Sequence, residues 1–147
     1  MTVSALPKVA FVCTRNSCRS QMAEAIARLR YPDIIEPYSA GTELGEDIDL
    51  AAAKIIKDLY GVDMRGLQRA KPLSELPPVD VVVTMGCGVS CPTLSVKERL
   101  DWGLDDPIGG PHEGYVECVK AIEEKLGALV EHIAGHSVDD GPERTGR

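Results

Sequence analysis

No run of apolar residues in this 147-residue chain approaches the roughly 20 needed to cross a bilayer as a helix. The stretch before Cys13 is too short for a signal peptide, so a cytoplasmic protein is expected. Basic side chains are in the minority, 16 against 23 acidic, and the net charge of −7 argues against a nucleic acid or an anionic membrane as partner. It does not exclude a small anion, which a local cradle can hold by its own field. Histidine is scarce: only His112, His132 and His136 are present. The cysteines, at 13, 18, 87, 91 and 118, are odd in number. In a reducing compartment they read as core filler, metal ligands or redox chemistry rather than structural disulfides. There are no repeats and no linker. One domain is expected over residues 1–134, followed by a Gly-, Asp- and Arg-rich disordered tail over 135–147.

What is present centres on Cys13-Thr14-Arg15-Asn16-Ser17-Cys18-Arg19-Ser20. The apolar run Val9–Val12 before it reads as a buried strand, and Gln21–Leu29 after it as a helix. A strand, a tight loop and a helix N-terminus form an anion cradle, because the first amides of the helix have no partner within it. The loop amides of Thr14, Arg15, Asn16, Ser17 and Cys18 can ring a tetrahedral oxyanion, and Arg19 can clamp two of its oxygens. Cys13 then sits beneath the anion as nucleophile, and the positive field favours its thiolate, the reactive form. Ser20 can add a hydroxyl hydrogen bond to the sulfur. Asn16 is read as ordering the loop through its own hydrogen bonds, and Cys18 as core.

The remaining chain alternates strand and helix. Met22, Ile26 and Leu29 form one face of the first helix, with Glu24 and Arg28 as a supporting pair four residues apart. Ile34–Ser39 is the second strand; Pro37 cannot donate a ladder bond, which predicts an edge. Asp47 or Asp49 caps a helix to Tyr60, with Ala52, Ile56 and Leu59 inward. Leu73–Leu76 is a helical turn, Val81–Met85 a central strand, and Arg99–Leu104 contains the last strand. Val119, Ile122, Leu126, Leu129 and Ile133 mark the last helix, from Tyr115 to Ile133. This order predicts an α/β sandwich about a parallel sheet, with its site beyond the carboxyl ends of the strands. The Cys13 loop, the Gly86–Pro92 loop and the Asp106 loop all follow strands and are expected to meet there.

Asp106, before Pro107, can protonate a leaving oxygen over the cradle; Asp105 is the weaker candidate. Cys87 and Cys91, three residues apart beside two glycines, can form a disulfide if their Cα atoms approach within about 7 Å. The alternatives for this pair are half of a zinc site, which lacks further ligands, or two inert thiols. Trp102, the one tryptophan, and Cys118 read as packing.

Cys13-x5-Arg19-Ser20 after an N-terminal strand resembles the signature of the low-molecular-weight protein tyrosine phosphatases. The fuller run Cys13-Thr14-x-Asn16-Ser17-Cys18-Arg19-Ser20-Gln21-Met22-Ala23-Glu24 is more similar to their relatives, the thioredoxin-coupled arsenate reductases, and the resemblance runs from Val9 to Ile133. It implies a flavodoxin-like sandwich, a four-stranded parallel sheet in order 2-1-3-4 with helices on both faces. It further implies that Asp106 is the general acid, that Cys87 attacks the arsenylated Cys13, and that Cys91 takes over the disulfide for reduction by thioredoxin. The Met85-Gly86-Cys87-x3-Cys91-Pro92 spacing is shorter than in the best-known members. Phosphatases carry an aromatic pair after the Asp-Pro; here Ile108-Gly109-Gly110 follows, which favours a small inorganic oxyanion, arsenate or phosphate. The resemblance also implies a potassium ion near Asn16, Glu24 and Ser39, although Met64–Leu67 departs from the Ser/His-rich pattern that accompanies it. The expected protein is a monomer without an organic cofactor. The alternatives are a phosphatase that hydrolyses a Cys13 phospho-enzyme, a non-catalytic oxyanion or redox sensor, and a reductase fed by a low-molecular-weight thiol and a glutaredoxin-like protein.

Overall fold

The computed structural model describes residues 6–43, 47–86 and 97–139. Strand β1 (Lys8–Cys13) lies inside the sheet, and Val9, Ala10, Phe11 and Val12 are wholly buried. It pairs in parallel with β2 (Glu36–Gly41) on one side and β3 (Val81–Thr84) on the other. Strand β4 (Glu98–Asp101) extends the sheet beyond β3, giving the order β2-β1-β3-β4 with every pair parallel. That is the expected topology. Pro37 lies on edge strand β2, where its missing N–H removes no ladder bond between strands.

Successive strand residues point to opposite faces, and this divides the core in two. Val9, Phe11, Val81, Val83 and Met85 join the main cluster with helices α1 (Arg19–Arg30), α2 (Leu50–Tyr60) and α4 (His112–Asp139). Ala10, Val12 and Val82 face the other way, into a smaller cluster with Val79, Tyr38, Leu73 and Leu76. Leu73 opens the 3-10 turn Leu73–Glu75 and Leu76 caps it. Trp102 is packing, its ring 5.5 Å from that of Phe11 at 48°.

Helix α1 is buried on all sides from Arg19 to Ala27. It therefore has no solvent face to relieve its polar residues, and each must find a partner in the protein. Helix α2 begins at Asp49, whose carboxylate accepts the Ala52 N–H at 3.1 Å. The short helix α3 (Met64–Leu67) is anchored by the buried Met64.

Two inward assignments are corrected. Leu29 is 47% exposed because the last turn of α1, Arg28–Arg30, stands in solvent. Leu59 is 54% exposed. The buried stripe of α2 is Ala52, Ile55 and Ile56, and in the last turn it is Tyr60 that reaches α4, bonding the Glu123 carboxylate. Helix α4 runs past Ile133 to Asp139, so the start of the segment expected as a tail is helical. A single glycine at 135 weakens a helix by only about 1 kcal/mol and does not end it. No helix among the described residues is long and apolar enough to cross a membrane.

Truncating Ile122, wholly buried in the main core cluster on α4, to alanine is expected to cost the protein about 2–5 kcal/mol of stability. Leu59→Ala should stay within about 1 kcal/mol of the wild type. Urea denaturation of the two variants reads the difference.

Candidate active site

The loop Cys13–Arg19 joins the end of β1 to the start of α1, at the carboxyl edge of the sheet. Its carbonyls are held by donors from outside it. Thr42 N–H bonds the Cys13 carbonyl at 3.2 Å, Glu43 N–H that of Thr14 at 2.8 Å, and Asp49 N–H that of Ser17 at 2.8 Å. Gln21 Nε2 bonds the Asn16 carbonyl at 3.0 Å. In a trans peptide the N–H points opposite to the C=O. A loop with its carbonyls held outward presents its amides to its hollow, the arrangement an oxyanion needs.

Asn16 makes this curvature. It takes a left-handed conformation, φ 56°, and is wholly buried. Its Oδ1 accepts from Gln21 Nε2 and from the Lys71 N–H, both at 2.9 Å, and its Nδ2 donates to Ser20 Oγ at 2.9 Å. Ser20 Oγ lies 2.8 Å from Cys13 Sγ. Because the hydroxyl oxygen already receives the Asn16 amide, its own hydrogen is available to donate to the sulfur. Gly41 closes the loop from below: a Cβ there would lie 2.8 Å from the Thr14 carbonyl oxygen and 2.9 Å from the Arg15 carbonyl carbon.

Arg19 is 4% exposed. Its Nη1 donates to the carbonyls of Leu104 at 2.9 Å and Met85 at 3.2 Å, and its Nη2 stands 3.8 Å from Asp106 Oδ2. The guanidinium thus binds the exits of β3 and β4 to the loop and keeps a carboxylate beside the anion site. Asp106 Oδ1 accepts the Ile108 N–H at 3.1 Å, which aims the other oxygen at Arg19. Cys13, Arg19 and Asp106 line one cavity of about 240 Å³, with Thr14, Arg15 and Ile108 also in its wall. Drug-sized sites run from about 300 Å³ upward, so this one suits a small ion. Such a site can bind a tetrahedral oxyanion, attack its centre with sulfur and protonate a departing oxygen.

The other thiols differ. Cys18, 2% exposed, is pushed far up by burial, and Cys118 is pushed up to about 11, also by burial. Both are neutral packing groups at pH 7, as expected. Cys87 and Cys91 fall outside the described residues. Among the described residues no group of three or more His, Cys, Asp or Glu is placed to hold a metal ion.

Of the residues expected to hold potassium, Glu24 and Ser39 meet, with the Lys71 ammonium beside them, while the Asn16 side chain is spent on Ser20, Gln21 and the Lys71 backbone. Ser39 Oγ donates to Glu24 Oε1, Lys71 Nζ lies 3.7 Å from the same oxygen and 3.4 Å from Ser39, and Arg28 Nη2 lies 2.7 Å from Glu24 Oε2. Both carboxylate oxygens are engaged by cations of the chain itself. Burial lowers the Lys71 ammonium below its ordinary value, and Glu24 acts against that shift. Lys71 was not legible as part of the site, because its local pattern differs in nothing from a surface loop. Gln21 left a trace only as part of the run Cys13–Glu24 that carries the family resemblance. Its Nε2 also bonds the Arg69 carbonyl at 2.9 Å, and its Oε1 receives Gln68 Nε2 at 2.7 Å.

Residues 8–138 match the family model described as low molecular weight phosphotyrosine protein phosphatase. The chain is 34% identical over 134 residues to a glutaredoxin arsenate reductase of Synechocystis, spanning 88% of this chain and all of that one. Among solved structures it is similar to an arsenate reductase in the phosphate binding state, at TM-score 0.79 and 33% identity, covering 87% of this chain and 99% of that one. It is similar also to a thioredoxin-dependent arsenate reductase of Corynebacterium glutamicum, at TM-score 0.71 and 29% identity, covering 90% of this chain and 64% of that one.

Iodoacetamide at pH 7 is expected to label Cys13, and millimolar phosphate to protect it, while Cys18 and Cys118 stay unlabelled until the protein is unfolded. Peptide mass mapping checks all three. Ser20→Ala should slow the labelling of Cys13 about three- to tenfold, by removing the hydroxyl from the sulfur.

Proposed function

The chain belongs to the low molecular weight phosphotyrosine protein phosphatase family, and within it we propose that the protein reduces arsenate to arsenite. The observation that carries this reading is the small cavity holding Cys13, Arg19 and Asp106, walled at 108 by isoleucine where an aryl ester would need a ring to rest on. The two cysteines that follow Gly86 and the names of the relatives support it.

In the proposed reaction, arsenate enters the loop and is clamped by Arg19. The Cys13 thiolate attacks arsenic, a sulfur–arsenic bond forms, and Asp106 gives a proton to the oxygen that leaves as water. Cys87 then attacks the Cys13 sulfur. The sulfur–arsenic bond breaks with its electron pair on arsenic, which departs as arsenite, and a Cys13–Cys87 disulfide remains. Cys91 attacks Cys87, frees the Cys13 thiolate and leaves Cys87–Cys91. Two electrons have passed from two thiols to arsenic. A dithiol protein returns them, and we assign that part to thioredoxin.

In the same reading the protein is a monomeric cytoplasmic enzyme of a single domain that includes the whole of α4 and needs no organic cofactor. Lys71 serves where the resemblance implied potassium. The second reading, a phosphatase, has support in the family description itself. Cys13, Arg19 and Asp106 would serve it equally, with water in place of Cys87.

NADPH oxidation with arsenate, thioredoxin and thioredoxin reductase tests the choice. Sustained turnover is expected, falling at least about 100-fold in Cys91→Ser. Turnover restored only by glutathione and glutaredoxin would move the electron donor and leave the chemistry at Cys13 in place. Steady hydrolysis of an aryl phosphate without arsenate turnover would establish the phosphatase.

A further inference from the structure

The backbones leaving β3 and β4 touch beside Arg19. Gly86 follows β3 with φ 95°, and Gly103 follows β4 with φ 61°. A Cβ on Gly86 would lie 2.4 Å from the Gly103 Cα and 2.9 Å from its N and C, all backbone atoms that cannot swing aside. A Cβ on Gly103 would meet nothing within 4 Å. The contact therefore depends on the bare Cα at 86 alone. Around it, the Met85 carbonyl accepts the Leu104 N–H at 2.8 Å and Arg19 Nη1, and the Leu104 carbonyl accepts the same Nη1. Met85 itself is held by its N–H to the Val12 carbonyl at 3.1 Å, on the strand that carries Cys13.

We propose that Gly86 is a positioning residue for Asp106: the contact with Gly103 sets where Leu104 and Asp106 stand over the oxyanion cavity. Any side chain at 86 drives the Gly103 backbone away from β3. Leu104 moves with it, so its carbonyl withdraws from Arg19, and Asp106, two residues further on, withdraws from the cavity. Cys13, the loop amides and the donors that hold the loop's carbonyls lie on other elements and stay in place. The substitution is thus expected to separate anion binding, which persists, from proton delivery, which fails. This inference rests on the acid role given to Asp106.

The test is a double-mutant cycle of Gly86→Ala with Asp106→Asn, with Gly103→Ala as a variant that carries left-handed strain without the clash. Binding is read by phosphate protection of Cys13 from iodoacetamide, and turnover by arsenate-dependent NADPH oxidation. Gly86→Ala should keep phosphate protection within about twofold and lose about tenfold or more in kcat. Adding Asp106→Asn to it should cost less than about threefold further, although Asp106→Asn alone costs at least about tenfold. Gly103→Ala should stay within about threefold of the wild type. Multiplying effects of the two substitutions overturn the proposal, as does an equal loss in Gly103→Ala. Loss of phosphate protection or of folding in Gly86→Ala also overturns it, because the contact would then serve the fold and not the acid. If the wild type turns over no arsenate, the functional reading fails separately. The same cycle is then run on 4-nitrophenyl phosphate hydrolysis, where Asp106 has the same task.

Discussion

The site depends on one buried left-handed residue. Asn16 adopts a conformation that costs an ordinary L residue roughly 1–2 kcal/mol, and it does so with its side chain fully out of water. Three side-chain bonds and a fourth to its carbonyl offset that cost. Asparagine suits the place because one short side chain has both donors and an acceptor. Its acceptor is taken by Gln21 and Lys71, and its donor reaches Ser20, which in turn reaches Cys13. The curvature of the loop and the hydrogen bond on the nucleophile are therefore consequences of one residue's geometry.

The loop is short, and almost everything that shapes it comes from elsewhere in the chain. Thr42 and Glu43 after β2, Asp49 at the cap of α2 and the segment from Gln68 to Lys71 each hold one part of it. Tyr115 on α4 donates its hydroxyl to Asp49 at 2.8 Å, so the last helix also steadies the cap whose N–H holds the Ser17 carbonyl. Arg19 performs the matching task on the far side by joining the exits of β3 and β4. An all-round buried α1 makes this possible, since its polar residues must be satisfied by the segments around it.

The fold does not separate reduction from ester hydrolysis. A thiolate beneath a ring of amides, with an arginine and a carboxylic acid, begins either reaction. The division lies in what approaches the adduct next, a second thiol or water, and in what rests on the wall of the cavity. Ile108 bears on the second point, and the pair at Cys87 and Cys91 on the first.

The strands, the long helices and the Cys13-x5-Arg19 cradle were legible from the chain, because they depend on local period and spacing: an apolar run, a tight loop, stripes at steps of three and four. The strand order β2-β1-β3-β4 was implied only by the family resemblance, and α3 left no periodic mark. Pro37 marked its edge strand for the same reason, through a missing donor. Tertiary structure alone decided which ends of helices reach solvent, as at Leu29 and Leu59, because a period gives a face and not where the covering layer stops. It alone placed Lys71 between Glu24 and Ser39, joined Tyr115 to Asp49, and brought Gly86 against Gly103. Each of these is a meeting of segments far apart in the chain, and no local pattern encodes a distance across the fold.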